Sequence, residues 1–159
     1  GNEMDENIVQ YVKNNYNLMI GERTAEEIKK EIGSVCCEKL DKSKQIKGRN
    51  LVEGLPKTIK VKAREIKEAL QEPVENIINS VKIVLENTPP ELSSDIINRG
   101  IIITGGGSLL GGMVERLENK VEIPVHLAEK SLDSGAEGTG IALEEINTLL
   151  DLLISTSKV

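Results

Sequence analysis

Three consecutive isoleucines, Ile101-Ile102-Ile103, are followed directly by a glycine-rich segment at residues 104–112. A strand with one wet face would alternate apolar and polar residues, so this run predicts a buried central strand in a sheet covered by helices. The glycines end the strand and let a ligand approach the main chain closely. Ligands of open α/β sheets bind beyond this end of the strands, where helix N-termini favour anions. A tight strand-to-helix turn without a ligand is the alternative, since glycine punctuation is common.

Helical and strand periodicities alternate along the rest of the chain, which predicts an α/β fold. Thr24 and Glu27 are expected to form a capping box, Pro73 to lie in the first turn of its helix, and Ser108 to cap the helix after the glycine run. Apolar residues recur at helical spacing in residues 4–16, 25–35, 66–70, 74–85 and 113–121, and in a last helix that Gly138-Thr139-Gly140 opens. Strands are expected at 44–50, 57–63 and 124–128.

Charge is distributed unevenly between the middle of the chain and the remainder. Residues 39–67 hold ten lysines and arginines against three acidic residues, a charge of +7, which leaves −13 for the rest of a chain whose net charge is −6. Residues 34–70 are too few to hold a core alone, so they are interpreted as a basic α+β subdomain inserted into a larger lobe made of residues 1–33 and 71–159. A solvated face without a partner is the alternative. If this basic segment binds a partner, the possible partners are an acidic protein, nucleic acid or an anionic surface.

A charged stripe on the second helix is the other candidate ligand-binding feature. Glu26, Lys29, Lys30 and Gly33 follow i, i+3, i+4, i+7 spacing and share one face. Charged groups on a stripe that ends in a glycine would suit a planar polar ligand lying against the helix. A solvated, salt-bridged helix face is the alternative.

Familiar catalytic and nucleotide-binding motifs are absent from the sequence. The glycine run lacks the Gly-Lys-Ser/Thr of a P-loop, and Leu110 interrupts a dinucleotide fingerprint. His126 is interpreted as a structural histidine, because no second imidazole or thiolate lies near it in sequence. The adjacent Cys36 and Cys37 cannot form an ordinary bridge with each other, which favours a reduced, intracellular setting. With two tyrosines as the only aromatic residues, platforms for stacking nucleic-acid bases are missing.

Several longer segments, in the expected order, resemble the bacterial actin-like cell-shape proteins of the MreB type. The segments that carry the resemblance are Gly21-Glu22-Arg23-Thr24-Ala25-Glu26-Glu27-Ile28-Lys29, residues 48–59, Thr88-Pro89-Pro90-Glu91-Leu92, residues 99–107 and Gly138-Thr139-Gly140. The resemblance covers nearly the whole chain. It implies an actin/Hsp70-like (ribonuclease H-like) fold, of which this chain would be the second large lobe, with ATP and Mg²⁺ held between two lobes in the full-length parent.

The resemblance also implies which residues would bind the nucleotide. Gly105, Gly106, Gly107 and Ser108 match the family's adenosine motif, and Glu26, Lys29 and Lys30 match the helix that lines adenine and ribose. Gly1-Asn2-Glu3-Met4-Asp5 stands where the family has Gly-Asp-x-Met-Asp, just after its second phosphate loop. Both phosphate loops and the Mg²⁺-handling carboxylates are therefore expected outside this chain, so the isolated lobe should bind little nucleotide and have no catalytic or metal-binding residue.

The function expected from these observations is the adenine-side half of an actin-like, ATP-binding protein that polymerises into filaments organising bacterial cell shape. Its expected partners are other copies of itself, the missing N-terminal lobe and cell-shape machinery at the inner membrane. The expected location is the cytoplasm, with membrane association of the parent. An interaction module that binds nucleic acid or an anionic surface through residues 39–67 is the alternative, although missing aromatics make nucleic acid a poorer candidate. A sugar-kinase-like enzyme is a third possibility, but it lacks support because no carboxylate that would face its substrate is apparent in this sequence.

Overall fold

The computed structural model describes residues 1–36, 41–146 and 149 as a mixed helix and sheet structure. Five strands and six α-helices of at least nine residues are formed in these ranges, together with one 3₁₀ turn. In chain order they are α1 Asn2–Tyr16, β1 Leu18–Met19, α2 Glu22–Ile32, β2 Ser43–Asn50, β3 Pro56–Lys62, α3 Ala63–Glu86, α4 Pro90–Arg99, β4 Ile101–Ile103, the 3₁₀ helix Gly106–Leu109, α5 Met113–Val121, β5 Val125–Leu127 and α6 Ser134–Glu144. None of the helices formed by the described residues has the length and apolarity to cross a membrane.

The strands form two separate sheets. β1, β2 and β3 are antiparallel in that order, whereas β4 and β5 form a parallel pair with Ile101 opposite Val125 and Ile103 opposite Leu127. A parallel pair needs a crossover connection, and here α5 supplies it. The crossover places the glycine run of residues 104–112 at the carboxyl end of β4, as the sequence predicts.

The core lies between α1, α2 and the first half of α3. Met4, Ile8 and Val12 of α1 face Ala25, Ile28 and Ile32 of α2, and all six are buried. These residues recur at i, i+3/i+4 spacing, so each helix presents one continuous apolar stripe. The predicted capping box at Thr24 is wrong, because α2 already begins at Glu22 with Gly21 as its N-cap and Thr24 lies within the helix.

Helix α3 is one continuous helix, not the two that the sequence predicts. Pro73 lies in its interior rather than in a first turn. Proline removes one main-chain hydrogen bond, but Ile66, Leu70, Val74 and Ile78 form a single buried stripe that passes through it. The predicted boundary between residues 70 and 71 therefore falls inside a helix, and the division into a lobe and a basic subdomain remains a prediction.

Strand β4 exists where predicted but is not buried on both faces. Ile102 is 70% exposed, whereas Ile101 and Ile103 are half-buried against the core. Among the described residues β4 pairs only with β5, so its other edge is unpaired and one face lacks a covering layer. The run of three isoleucines predicted a strand covered on both faces, but the described residues leave the face with Ile102 uncovered.

Helix α6 begins earlier than predicted and packs little. It starts at Ser134, so Gly138-Thr139-Gly140 lies inside the helix rather than opening it. None of its residues is buried, and Ile141, Leu143 and Ile146 of the predicted last helix are exposed. Leu150 and Leu153 of the predicted last helix lie outside the described residues.

Candidate functional site

The glycine run begins with a tight turn built on Gly105. Its φ of 85° lies in a region that residues with a side chain rarely adopt, and its amide donates to the Ser131 carbonyl at 2.7 Å. Thr104 Oγ1 donates to the same carbonyl at 3.0 Å. The two bonds fix the carboxyl end of β4 to the loop after β5, so the next residues of the run enter the site from a defined position.

Ser108 stabilises this turn and does not cap α5. Its buried hydroxyl donates to the Gly105 carbonyl at 2.6 Å, and α5 begins five residues later at Met113 with Gly112 as N-cap. The prediction that Ser108 caps the following helix is wrong, because a short 3₁₀ helix intervenes between the strand and α5. Ser108 therefore shapes the site without lining it.

A cavity of about 500 Å³ opens between this turn and the C-terminal half of α2. Its volume is in the range of pockets that hold small ligands. Gly106 and Gly107 form one wall, and Lys29, Lys30 and Gly33 form the other. Between them the lining is mainly apolar, and its aliphatic residues are Met4, Ile32, Leu109, Leu110 and Leu132. The site thus combines a glycine wall, a cationic wall and an apolar interior.

Lys29 is held in place by a largely enclosed ion pair. Its ammonium lies 2.8 Å from Asp5 Oδ2, with both side chains more than four-fifths buried, and it also donates to the Gly1 carbonyl at 3.3 Å. An ammonium has three N–H groups, so one remains beyond these two contacts among the described residues. The second carboxylate oxygen, Asp5 Oδ1, is buried without a hydrogen-bond partner in the described structure. Lys29, which lines the cavity, and Asp5, which does not, therefore both have unused polar capacity.

Lys30 and Glu26 form the more exposed pair of the stripe. Lys30 Nζ lies 2.7 Å from Glu26 Oε1, and the hydrogen bond from Lys30 lowers the pKa of the Glu26 carboxyl. Both side chains remain largely in solvent. Lys30 lines the cavity but Glu26 does not, so Glu26 acts on the site through Lys30 in this arrangement.

A clasp between α2 and the end of the glycine run sets the distance between the two walls. Val35 N donates to the Gly111 carbonyl at 2.8 Å, and Ser34 Oγ donates to the same oxygen at 3.1 Å. A Cβ on Gly33 would lie 2.2 Å from the Lys29 carbonyl, so only glycine fits where the chain leaves α2. The sequence reasoning missed Ser34 and Gly111, although the Gly111-Gly112 pair was a visible signal of close backbone approach.

Four of the seven predicted site residues line one cavity: Lys29, Lys30, Gly106 and Gly107. Gly105 and Ser108 build the turn beside the cavity, and Glu26 does not line the cavity but pairs with Lys30, which does. Leu132 also lines the cavity, close to Gly106, and was not predicted because an exposed loop leucine carries no pattern of its own. The roles of these residues toward a ligand stay predictions.

The lining of the cavity indicates which kind of ligand it suits. Among the described residues no cluster of three histidine, cysteine or acidic side chains could hold a metal ion. An apolar cavity that has one wall of glycine main chain and cations on the other suits a flat heteroaromatic group carrying polar or anionic substituents. An adenosine moiety belongs to this class of ligand.

Comparison with known protein sequences identifies the chain's relatives. The family model described as MreB/Mbl protein matches residues 1–151. Cell shape-determining protein Mbl of Bacillus subtilis is 47% identical over 149 residues, which cover 94% of this chain and 45% of that protein. Cell shape-determining protein MreB of Escherichia coli is 46% identical over 147 residues, which cover 92% of this chain and 42% of that protein. The chain thus spans less than half the length of these curated relatives.

Comparison with solved structures identifies the same group. MreB5 of Spiroplasma citri bound to AMPPNP superposes with a TM-score of 0.87 at 38% identity, over 94% of this chain and 45% of that one. The same protein has been solved with ADP. The MamK double helical filament shares the fold with a TM-score of 0.67, at 19% identity over 82% of this chain and 40% of that one. The fold is therefore that of an actin-like ATPase lobe, as the sequence predicts, and the chain belongs to the MreB/Mbl protein family.

Proposed function

We propose that this chain is the adenine-side half of an actin-like, ATP-binding protein whose full-length form polymerises into filaments that organise cell shape. The observation that carries the proposal is the shared cavity, in which Gly106 and Gly107 face Lys29 and Lys30. These two segments are separated by more than seventy residues in sequence, and the resemblance assigns both to one nucleotide. The MreB5 relative binds AMPPNP and ADP, which supports an adenine nucleotide as the ligand.

Within the cavity the apolar lining would take the base, because burial of a flat apolar surface favours binding without demanding polar partners. The main chain at Gly106 and Gly107 allows close approach, since Gly107 has no neighbouring atom within 4 Å of where its Cβ would lie. Lys29, fixed by Asp5, would direct its remaining N–H toward ribose or phosphate oxygens. Lys30, paired with Glu26, would cover the outer edge.

The phosphate-binding and hydrolytic groups of the nucleotide site are proposed to belong to the part of the protein outside this chain. Catalysis of phosphoryl transfer depends on groups that grip the phosphates and Mg²⁺. Exposed apolar side chains lie in the cavity lining, at Leu109 and Leu132, and on β4, at Ile102, and a second lobe would bury them. The full-length protein would then enclose ATP and Mg²⁺ between two lobes.

We infer filament formation, cytoplasmic location and attachment to cell-shape machinery at the inner membrane for the parent from the family resemblance. The basic segment at residues 39–67 would contact an acidic surface of the next subunit. Complementary charge fixes register and accelerates encounter. The charge of +7 against −13 supports head-to-tail pairing of this kind.

Nucleotide titration of the 159-residue chain tests the proposal. A fluorescent ATP analogue should bind weakly, and adenosine should displace it almost as well as ATP, because this half contacts the base and sugar. Inorganic triphosphate should displace it poorly. Gly107→Leu, which places a side chain in the cavity, and Lys29→Met should each lower affinity about tenfold, the change that a loss of about 1.4 kcal/mol produces.

Lys47→Met is the matched control, because it removes a cation from β2 that does not line the cavity. Displacement by triphosphate but not by adenosine would contradict the adenine-side assignment. Hydrolysis of ATP by the chain alone would contradict the assignment of the catalytic groups to the missing half.

The alternative function, an interaction module for nucleic acid or an anionic surface, is supported by one observation. Lys47, Arg49, Lys60 and Lys62 alternate with neutral residues on one face of the β2–β3 ribbon. Binding of duplex DNA by such a face would weaken steeply with salt. A DNA titration at two salt concentrations separates the two functions, since adenosine binding should depend little on salt.

A further inference from the structure

A second cavity, of about 210 Å³, lies between α3 and α5. Its lining comes from three parts of the chain: Val35 follows α2, Lys67, Gln71 and Val74 belong to α3, and Arg116 belongs to α5. None of these residues lines the cavity between α2 and the glycine run. Pockets for drug-sized ligands have volumes of about 300–1,000 Å³, so this smaller cavity suits a small group rather than a whole nucleotide.

The lining of this second cavity combines an apolar side with cations. Val35 and Val74 are buried, whereas Lys67 and Arg116 are half-buried. Lys67, Gln71 and Val74 follow i, i+4, i+7 spacing and therefore share one face of α3. None of the described lining residues is acidic. Water screens a half-buried charge less than an exposed one, so the two cations would attract an anion more strongly here than on an open surface.

The charges beside the cavity are also mainly positive. Glu75 Oε1 accepts a hydrogen bond from Arg116 and lies 4.0 Å from Lys120 Nζ. The hydrogen bond from Arg116 is the main cause that lowers the pKa of the Glu75 carboxyl, and the charges of Lys120 and Lys82 lower it further. Three cations thus surround one carboxylate. A guanidinium has five N–H groups, more than one carboxylate can accept, so Arg116 can hold Glu75 and a ligand together.

We propose that this cavity binds a phosphate group, with Arg116 and Lys67 contacting the oxyanion and Gln71 donating from its side-chain amide. A tetrahedral oxyanion accepts hydrogen bonds from several directions, which matches donors that come from two helices. A guanidinium also suits phosphate because it can donate two parallel N–H bonds. Free phosphate and the phosphate ester of a small metabolite present the same group. The site goes beyond the proposed nucleotide function and does not rest on it.

Amide NMR of the 159-residue chain during titration with inorganic phosphate tests the site, with sodium chloride holding the ionic strength constant. The resonances of Val35, Gln71 and the Arg116 side chain should shift in a saturable way. Arg116→Gln should weaken phosphate binding about tenfold, because it removes a charged donor, and Lys67→Met should weaken it by about threefold or more. Circular dichroism verifies that each variant folds.

Lys120→Gln is the matched control for the loss of charge. Lys120 belongs to the same helix as Arg116 and also lies near Glu75, but it does not line the cavity. Its removal should change phosphate affinity by less than about twofold, because salt screens an exposed charge outside the cavity. Arg116→Lys keeps the charge but not the paired N–H groups, so its affinity should lie between those of the wild type and Arg116→Gln.

Three results would overturn the proposal. The first is a set of shifts that does not saturate or that is confined to the β2–β3 ribbon. The second is an equal loss of affinity in Lys120→Gln and Arg116→Gln, which would mean that general positive charge and not the cavity attracts the anion. The third is binding of acetate as tight as that of phosphate, since a planar carboxylate should bind more weakly. Comparing glycerol 3-phosphate with inorganic phosphate distinguishes an ester from the free ion as the preferred ligand.

The two cavities can be tested separately. Val35 lines this cavity and the preceding residue, Ser34, lines the nucleotide cavity, so the clasp separates the two. Lys29→Met should lower adenosine affinity and leave phosphate affinity unchanged, whereas Arg116→Gln should do the reverse. Loss of phosphate binding in Lys29→Met would assign the phosphate to the nucleotide cavity and overturn the proposal. A wild-type chain that binds phosphate but no adenosine would contradict the nucleotide site alone.

Discussion

Two tyrosines of α1 join this helix to α3 through carboxylates. Tyr16 donates to Glu65, and Tyr11 donates to Glu68 Oε2 at 3.0 Å. Burial, followed by the hydrogen bond to the carboxylate, raises the pKa of each phenol to about 12 from 10.0. The protonated phenol is therefore favoured in the folded chain relative to the unfolded chain.

This shift predicts how stability changes with pH. Because the folded phenols hold their protons more tightly, their contribution is complete below pH 10 and is lost as pH rises toward about 12. Tyr11→Phe with Tyr16→Phe should flatten this part of the profile. Urea unfolding of the wild-type chain and the double variant between pH 10 and about 12 measures this change in the free energy of unfolding. Lysines titrate in the same range, but their contribution is the same in both chains. Parallel declines for the variant and the wild type would contradict the assignment.

Residue-scale features were the least predictable from sequence. The Asp5–Lys29 pair joins residues on two helices, and the clasp of Ser34 to Gly111 joins residues 77 positions apart. Neither leaves a periodic signal, because each depends on how elements pack. Lys29, Lys30, Gly106 and Gly107 were predictable because one helix stripe and one glycine run placed them, together with the family resemblance.

At the element scale, the clasp shows why the end of the glycine run cannot carry side chains. Gly112 has a φ of 77°, and a Cβ there would lie 2.5 Å from Cys36 Cβ and 2.7 Å from Cys36 Sγ. Gly112→Ala combines this overlap with a strained backbone conformation. We expect a loss of about 1–3 kcal/mol in unfolding free energy.

Gly135→Ala is the matched control for this substitution. Gly135 lies near the start of α6, with no neighbouring atom within 4 Å of its Cβ position. Alanine is favoured there by helix propensity, so stability should rise by up to about 1 kcal/mol. Chemical unfolding of the two variants measures both effects. If Gly112→Ala changes the free energy of unfolding as little as Gly135→Ala does, the expected overlap with Cys36 does not destabilise the chain.

The elements themselves were largely predictable, and the exceptions have physical causes. Strands β2 and β3 alternate and α1 has a clear apolar stripe, so local pattern sufficed. Pro73 predicted a helix start, but buried neighbours on both sides of it keep α3 continuous. The isoleucines of β4 predicted burial that would need a further layer of structure, and Ile102 is exposed without it.

At the scale of the whole molecule, the described residues divide into a packed half and a thinly packed half. Helices α1 and α2 and the first part of α3 share the largest buried side chains, including Met4, Ile8 and Ile28. Helices α4 and α6 bury no residue at all. Local stability follows buried contacts, so these two halves should open with different free energies even though they belong to one chain.

Amide hydrogen exchange measures this difference directly. Amides of α1 and α2 should exchange slowest, near the rate set by global unfolding, whereas those of α4 and α6 should exchange much faster because their helices open without disrupting the core. If the missing lobe covers α6 and the free edge of β4 in the parent, the same amides should become protected there while those of α1 change little. Equal protection of α6 and α1 in the 159-residue chain would contradict the division, since it would require contacts that bury α6. Protection of α6 that stays low in the full-length protein would instead contradict the proposed lobe-to-lobe contact, and the exposed apolar side chains of α6, such as Ile141, would then need another partner.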